Sequence, residues 1–156
     1  MSGVLAEILI GVLAAMILLA AAWDLRKREI PNALNAAIAL LAIPFWFACD
    51  LAIWPDMAVR VAIAALVLGL FAVAFAIGAM GGGDVKMVAA VALWLPPEAV
   101  VVLLVIMSLA GGLLTAVMLV RHRLAKAKHQ LEIPYGVAIA IGGFWLIGER
   151  FLNQFA

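Results

Sequence analysis

The feature that most constrains this chain is a succession of apolar segments, each about as long as a membrane is thick. In the first, residues 4–23, Glu7 is the only charged residue. A helix of about 20 apolar residues crosses a hydrocarbon core of roughly 30 Å. Hydrophobic residues make up 69% of the chain and charged ones 12%, against about 45–50% and about 25% in soluble domains. The sequence predicts an all-α integral membrane protein.

Polar or proline-containing breaks delimit five further apolar segments. They are predicted at residues 33–53, 57–80, 85–95, 99–120 and from near Tyr135 onward. As a helix, the segment 85–95 would rise only about 17 Å, too little to cross a bilayer alone. Either its helix begins within the preceding glycines or the bilayer is thinner there. We therefore predict about six transmembrane helices in a single domain, residues 1–156, with no linker to a second one.

The basic residues indicate how the segments are oriented. If the N-terminus lies outside the cytoplasm, only Arg60 and Arg150 of the ten Lys and Arg residues fall on the outer side. The others fall on the cytoplasmic side: Arg26, Lys27, Arg28, Lys86, Arg121, Arg123, Lys126 and Lys128. This positive-inside bias is typical of membrane proteins. It predicts that both termini lie on the outer side and that Asp24 and Asp84 share the cytoplasmic face.

These two aspartates are the candidate functional residues. Asp24 follows the first apolar segment, and Asp84 closes the run Gly81-Gly82-Gly83-Asp84. An acid beside hydrocarbon is costly and is a functional candidate by default. Two adjacent carboxylates can share one proton, so that one activates a water while the other protonates a carbonyl oxygen. The glycines would let a substrate strand approach closely. The pattern favours hydrolysis of a peptide bond.

Each of these features also has a purely structural explanation. Asp24 can pair with the basic residues that follow it in a solvated loop. The glycine run can form a tight turn in which Asp84 caps the next helix. Lys86 can be a positively charged anchor at the membrane face. Trp23, Trp54 and Trp94 fall at segment ends, where interfacial anchors are common.

Other kinds of site find little support. The single cysteine, Cys49, excludes a disulfide within the chain and a Cys-based zinc site. His122 and His129 lie in a basic loop without a carboxylate cluster, which disfavours a metal site. Ser108 is the one serine within a segment, and no histidine accompanies it there. We expect no metal, no cofactor and no nucleic-acid partner, and the sequence does not indicate an oligomeric state.

Three stretches of the chain resemble segments of one family and occur in the same order as in that family. Gly81 to Lys86 resembles the GxGD motif of intramembrane aspartyl proteases, in the extended GxGDxK form of prepilin peptidases. Trp23-Asp24-Leu25-Arg26, followed by Ile30-Pro31-Asn32, is similar to the region of the family's first aspartate. Ile133-Pro134-Tyr135-Gly136-Val137-Ala138 resembles the entry to its last helix. The resemblance points to the type IV prepilin leader peptidases.

The resemblance implies a six-helix aspartic endopeptidase in the bacterial inner membrane, with both termini periplasmic. Asp24 and Asp84 match its catalytic aspartates, at the cytoplasmic side. The remaining residues expected at the cleft are Gly81, Gly82, Gly83, Lys86, Pro134, Tyr135 and Gly136. The implied substrate is a prepilin with a short basic leader before a hydrophobic helix, which would lie in the bilayer beside the short fourth segment.

Bifunctional members of the family add a domain with paired CxxC motifs and N-methylate the new N-terminus. This chain has Cys49 alone, and its short form is similar to the peptidases of Flp-type, tight-adherence pilus systems. We therefore expect cleavage without methylation, and no zinc domain. Two other functions stay open: a catalytically inactive scaffold for pilus assembly, and a small proton-coupled transporter. A transporter would ordinarily place its acids near the bilayer midplane.

Overall fold

The computed structural model describes residues 2–124 and 133–153, and these form six α-helices. The helices are α1 Ser2–Lys27, α2 Asn32–Ala48, α3 Ala58–Ala76, α4 Gly82–Ala92, α5 Pro97–Leu124 and α6 Tyr135–Asn153. An irregular helical turn, Ile53–Met57, leads into α3. The all-α prediction is confirmed. Most of the basic loop predicted after the fifth segment lies outside the described residues.

Three stretches in the described part of the chain are long and apolar enough to cross a membrane: Gly3–Lys27, Ile53–Ala76 and Pro97–Leu124. Helix α2 is apolar but has 17 residues, and α4 has 11. These helices support a multi-pass membrane protein. Six crossings and periplasmic termini stay predictions.

Two segment boundaries differ from the predicted ones in ways that affect the site. Helix α1 continues to Lys27, so Asp24 lies in its last turn and not in a loop. The turn ends at Arg28, whose φ is 56° and whose N–H donates to the Asp24 carbonyl at 2.9 Å. Helix α4 begins at Gly82, which confirms the alternative in which the fourth helix starts within the glycine run.

Helix α4 is the innermost helix of the bundle. It packs against α2, α3 and α6, and most of its residues are buried: Asp84, Val85, Met87, Val88, Ala89, Ala90, Val91 and Ala92. From Met87 to Ala92 the helix is apolar on every side, which is typical of a core position. Because other helices cover α4, its own length does not have to match the thickness of a bilayer.

The far end of the contact between α2 and α4 is held by two tryptophans. The Trp46 indole N–H donates to the Leu93 carbonyl at 2.8 Å, and the Trp94 indole N–H donates to the Ile38 carbonyl at 2.9 Å. Trp94 also packs on the Phe45 ring, with ring centroids 4.9 Å apart. The prediction that Trp94 is an interfacial anchor is wrong, because this side chain is buried and its N–H is satisfied within the core.

Helix α6 lies very close to α1 and α5. A Cβ on Gly142 would lie 2.9 Å from Leu103 Cδ1 of α5, and one on Gly143 would lie 3.1 Å from Ile17 Cδ1 of α1. Small residues at a helix contact allow such close approach in membrane proteins. This packing carries the start of α6 to the end of α1, where Asp24 lies.

Candidate active site

Asp24 is held in the core by the beginning of α6. Only 3% of its surface is exposed. Its Oδ2 accepts a 2.8 Å hydrogen bond from the Gly136 N–H, 112 residues away in sequence. The first N–H groups of a helix have no acceptor within the helix and favour a nearby negative charge. The solvated-loop explanation of Asp24 is therefore contradicted by its burial.

Asp84 lies in the first turn of α4 and is 6% exposed. Its Oδ2 approaches the backbone in front of the helix, since a Cβ on Gly81 would lie only 2.8 Å from it. Its Oδ1 is buried and has no hydrogen-bond partner among the described residues. The capping explanation is not borne out, because Gly81 occupies the N-cap position of α4 and no side chain makes a capping hydrogen bond there.

The fold brings both carboxyl groups to the walls of the same two cavities. A cavity of about 460 Å³ extends toward Trp23, the loop 29–32 and Gly81, Gly82 and Gly83. A second cavity, of about 580 Å³, is also lined by Gly78, Ala79, Met80, Ile133 and Tyr135. Asp24, Lys27, Arg28, Glu29, Gly81 and Asp84 line both. The two aspartates are therefore among the residues where the two cavities adjoin.

The two carboxyl groups are close enough to affect each other's charge. Asp84 lies outside the three candidate membrane spans. Burial of its carboxyl raises the pKa to about 7, and the negative charge of Asp24 acts in the same direction. The backbone amides of Gly81 and Gly136 oppose this rise in the pKa of Asp84. The Gly136 amide is therefore near both carboxyl groups. With this pKa, the Asp84 carboxyl is protonated in a large fraction of molecules at neutral pH.

The glycine run packs tightly against its surroundings. A Cβ on Gly83 would lie 3.2 Å from both Cβ and N of Ile30, and one on Gly82 would lie 3.3 Å from the Phe75 ring. Larger residues here would push α4 away from the loop that follows Asp24. The predicted cleft residues Gly81, Gly82 and Gly83 do line the first cavity.

The other predicted cleft residues have different positions. Tyr135 lines the second cavity, and Gly136 supplies the amide that binds Asp24. Pro134 is fully buried next to them. The exposed Lys86 is not among the described residues that line either cavity; its Nζ donates to Asn32 Oδ1 at 2.8 Å.

One buried polar residue near the site was missed by sequence reasoning. Asn35 of α2 is 3% exposed, and its Nδ2 donates to the Gly83 carbonyl at 2.9 Å. A signal was present, because an amide three positions after Asn32 within an apolar segment is itself costly. The sequence does not reveal which carbonyl such an amide meets.

Within residues 2–124 and 133–153, no three His, Cys, Asp or Glu side chains come together as metal ligands would. His122 belongs to α5, and His129 lies outside the described residues. The prediction for that pair therefore stays a prediction.

The model of the type IV leader peptidase family matches residues 11–116. That range contains Asp24, the glycine run and Asp84, and it is more than half of the 156 residues. No curated protein and no solved structure matches the chain. The family match agrees with two carboxyl groups brought to one cavity of a helical membrane protein. The chain belongs to the type IV leader peptidase family.

Proposed function

We propose that this protein is an aspartic endopeptidase that removes the leader from type IV prepilins of the Flp-like kind, at the cytoplasmic face of the bacterial inner membrane. Family membership implies a peptidase that acts on prepilins. The observation that carries the proposal is the position of Asp24 and Asp84, which come from separate helices and line the same cavities.

The surroundings of the two aspartates favour different roles for them. The Gly136 N–H bond to Asp24 stabilises an ionised carboxylate. Asp84, with its pKa raised to about 7, is protonated in a large fraction of molecules near neutral pH. Asp24 then takes a proton from the attacking water while Asp84 donates its proton to the carbonyl oxygen of the scissile bond. When the tetrahedral intermediate collapses, the C–N bond breaks and the leaving amine takes the proton from Asp24. A hydroxyl group of the intermediate returns a proton to Asp84 as the new carbonyl forms, which restores both aspartates.

The cavities support a substrate that lies across the site. Residues before the scissile bond can occupy one cavity and residues after it the other, with the bond next to the carboxyl pair. Other helices cover most of α4, which leaves little of its surface for the substrate helix that the sequence led us to expect beside it. A groove of about 260 Å³ on α1 offers another route, since Trp23 and Lys27 line both this groove and the first cavity.

The proposal includes cleavage without methylation. The link between α1 and α2 is only residues 28–31, which leaves no room for an inserted domain there. Cys49 has no second cysteine with which to form a CxxC pair.

The proposed function is tested by co-expressing an Flp-type prepilin with the wild-type chain or with a variant carrying both Asp24→Asn and Asp84→Asn. We expect the wild type alone to remove the leader. Mass analysis of the product should show a new N-terminus without a methyl group. An unprocessed prepilin in both samples, with both chains folded and inserted in the membrane, would refute a peptidase function toward that substrate. A methylated product would refute the restriction to cleavage.

The rate of cleavage should fall as the pH rises through about 7. Above that pH Asp84 loses its proton, both carboxyl groups are ionised, and the carbonyl oxygen has no donor. At low pH Asp24 also becomes protonated and no base remains, so kcat/KM should pass through a maximum. The measurement is kcat/KM between about pH 5 and about pH 9, with tryptophan fluorescence as a control for folding. A rate that keeps rising well above neutral pH would contradict a requirement for protonated Asp84.

A further inference from the structure

Three polar or charged side chains are buried in the described part of the chain: Asp24, Asp84 and Asn35. The proposed function uses the two aspartates and leaves Asn35 without a role. Asn35 lies in the contact between α2 and α4, which is otherwise mostly apolar. Burying an amide there is unfavourable unless its hydrogen bonds are made. The Asn35 side chain makes one such bond, through Nδ2, and its Oδ1 has no partner among the described residues.

That bond reaches the backbone immediately before Asp84. The Gly83 carbonyl that accepts from Asn35 Nδ2 belongs to the same peptide unit as the Asp84 nitrogen. Because a peptide unit is planar, holding its oxygen also sets the orientation of the Asp84 nitrogen. The three glycines before Asp84 offer little conformational restraint of their own. Gly82, Gly83 and Asp84 form the first turn of α4, where a helix frays most easily. The direction in which the Asp84 side chain leaves the backbone thus depends on this turn and on the contact from Asn35 that supports it.

A second bond joins the same ends of the two helices. Asn32 and Asn35 are three positions apart on α2, and Gly83 and Lys86 are three positions apart on α4, so each pair shares a helix face. Lys86 bonds to Asn32 at the exposed edge, and Asn35 bonds to Gly83 in the interior. Of these two bonds, only the interior one reaches the peptide unit next to Asp84.

We propose that Asn35 is a positioning residue, which holds the Gly83–Asp84 peptide unit so that the Asp84 carboxyl stays beside Asp24. This inference rests on the proposed peptidase function. Asn35 is not among the described residues that line the two cavities, so it acts through Asp84 and not by touching the substrate. Its removal should therefore lower kcat more than it raises KM.

The chain offers a matched control at the opposite end of the same helix contact. Asn35→Leu removes a donor from α2 to the carbonyl of Gly83, next to Asp84. Trp46→Phe removes a donor from α2 to the carbonyl of Leu93, at the far end of α4. Both variants should be less stable than wild type, because each leaves a carbonyl without its side-chain donor. They differ in whether that carbonyl adjoins the candidate site.

For Asn35→Leu we expect kcat to fall by about tenfold or more with KM within about threefold, as for a misplaced catalytic group. For Trp46→Phe we expect both constants within about twofold of wild type. Asn35→Ala is the second variant if leucine does not fit, with the same expected loss of kcat. A wild-type kcat in the folded Asn35 variants would overturn the proposal. It would also be overturned if the Asn35 and Trp46 variants lost kcat in proportion to their loss of stability, with no extra loss in the Asn35 variants.

Hydrogen exchange separates this inference from the proposed function, because it needs no substrate. Amides in peptides that cover residues 81–87 should exchange faster in Asn35→Leu than in wild type, and at the wild-type rate in Trp46→Phe. If the wild type cleaves no prepilin, the proposed function fails and the exchange data alone decide whether Asn35 holds this segment. Unchanged exchange at residues 81–87 would overturn that role.

Discussion

Replacing Asp84 by Asn is expected to reduce the rate of prepilin cleavage by roughly 10³-fold or more, as removal of a catalytic acid or base typically does. The amide has nearly the same size and shape as the carboxyl, so the fold should survive. The amide is not an acid, so it cannot supply the proton that the Asp84 carboxyl donates to the carbonyl oxygen. Asp24→Asn should have a similar effect, because the amide cannot accept a proton from water.

The two aspartates should act as one unit. The variant with both substitutions is expected to be no slower than the slower single variant. Loss of either aspartate already disables the shared mechanism, so the second substitution has no further effect. The measurement is single-turnover cleavage of a purified prepilin in detergent micelles. Independent effects, which multiply in the double variant, would contradict a shared mechanism.

Asp50→Asn is the matched control for this substitution. Asp50 is exposed, lies in the turn after α2 and has a left-handed backbone with φ of 52°, a conformation that Asn adopts readily. The same chemical change there should leave cleavage at the wild-type rate. A loss equal to that of Asp84→Asn would mean that the assay responds to a general change in the protein and not to the site. Full activity of a folded Asp84→Asn chain would remove the aspartate pair as the catalytic centre.

The second large effect is expected from Gly136→Ala. A Cβ at this position would lie 2.8 Å from Asp24 Oδ2, 3.1 Å from Asp24 Cβ and 3.0 Å from Ile30 Cδ1. Either Asp24 or the start of α6 must move, and the 2.8 Å bond from the Gly136 N–H to Asp24 would be lost or distorted. We expect a fall in kcat of about 10²-fold, the size of effect that misplacement of a reacting group by about 1 Å produces.

Gly148→Ala provides the comparison on the same helix. No atom would lie within 4 Å of a Cβ at Gly148, and alanine is favoured over glycine within a helix by roughly 0.5–1 kcal/mol. This variant should cleave at the wild-type rate and be as stable as wild type or slightly more so. Thermal unfolding and cleavage are measured for both variants. Normal activity in Gly136→Ala would show that the close contact with Asp24 is not needed for catalysis.

Much of the fold was predictable because long apolar segments have few alternatives to helix in a membrane, where each backbone polar group must be paired within the protein. The segment starting near Tyr135 became α6 at that residue. The residues at which the helices begin and end were less predictable. Asp24 reads as the first residue of a polar loop, yet α1 continues to Lys27. Asp24 can be buried at the end of this helix because the start of α6 offers a partner for its carboxylate, and that partner is distant in sequence.

In the candidate site, too, some features could be predicted from the sequence and others could not. Asp24, Asp84 and the glycine run are conspicuous in the sequence because charge and glycine are rare in an apolar chain. The sequence by itself therefore determined a helical membrane protein and the two acids most fit for chemistry. Only the tertiary structure decided that both acids line the same cavities, that Gly136 donates to Asp24 and that Asn35 donates to the Gly83 carbonyl. Those contacts depend on how closely helices approach one another, which is set by packing between residues far apart in the chain.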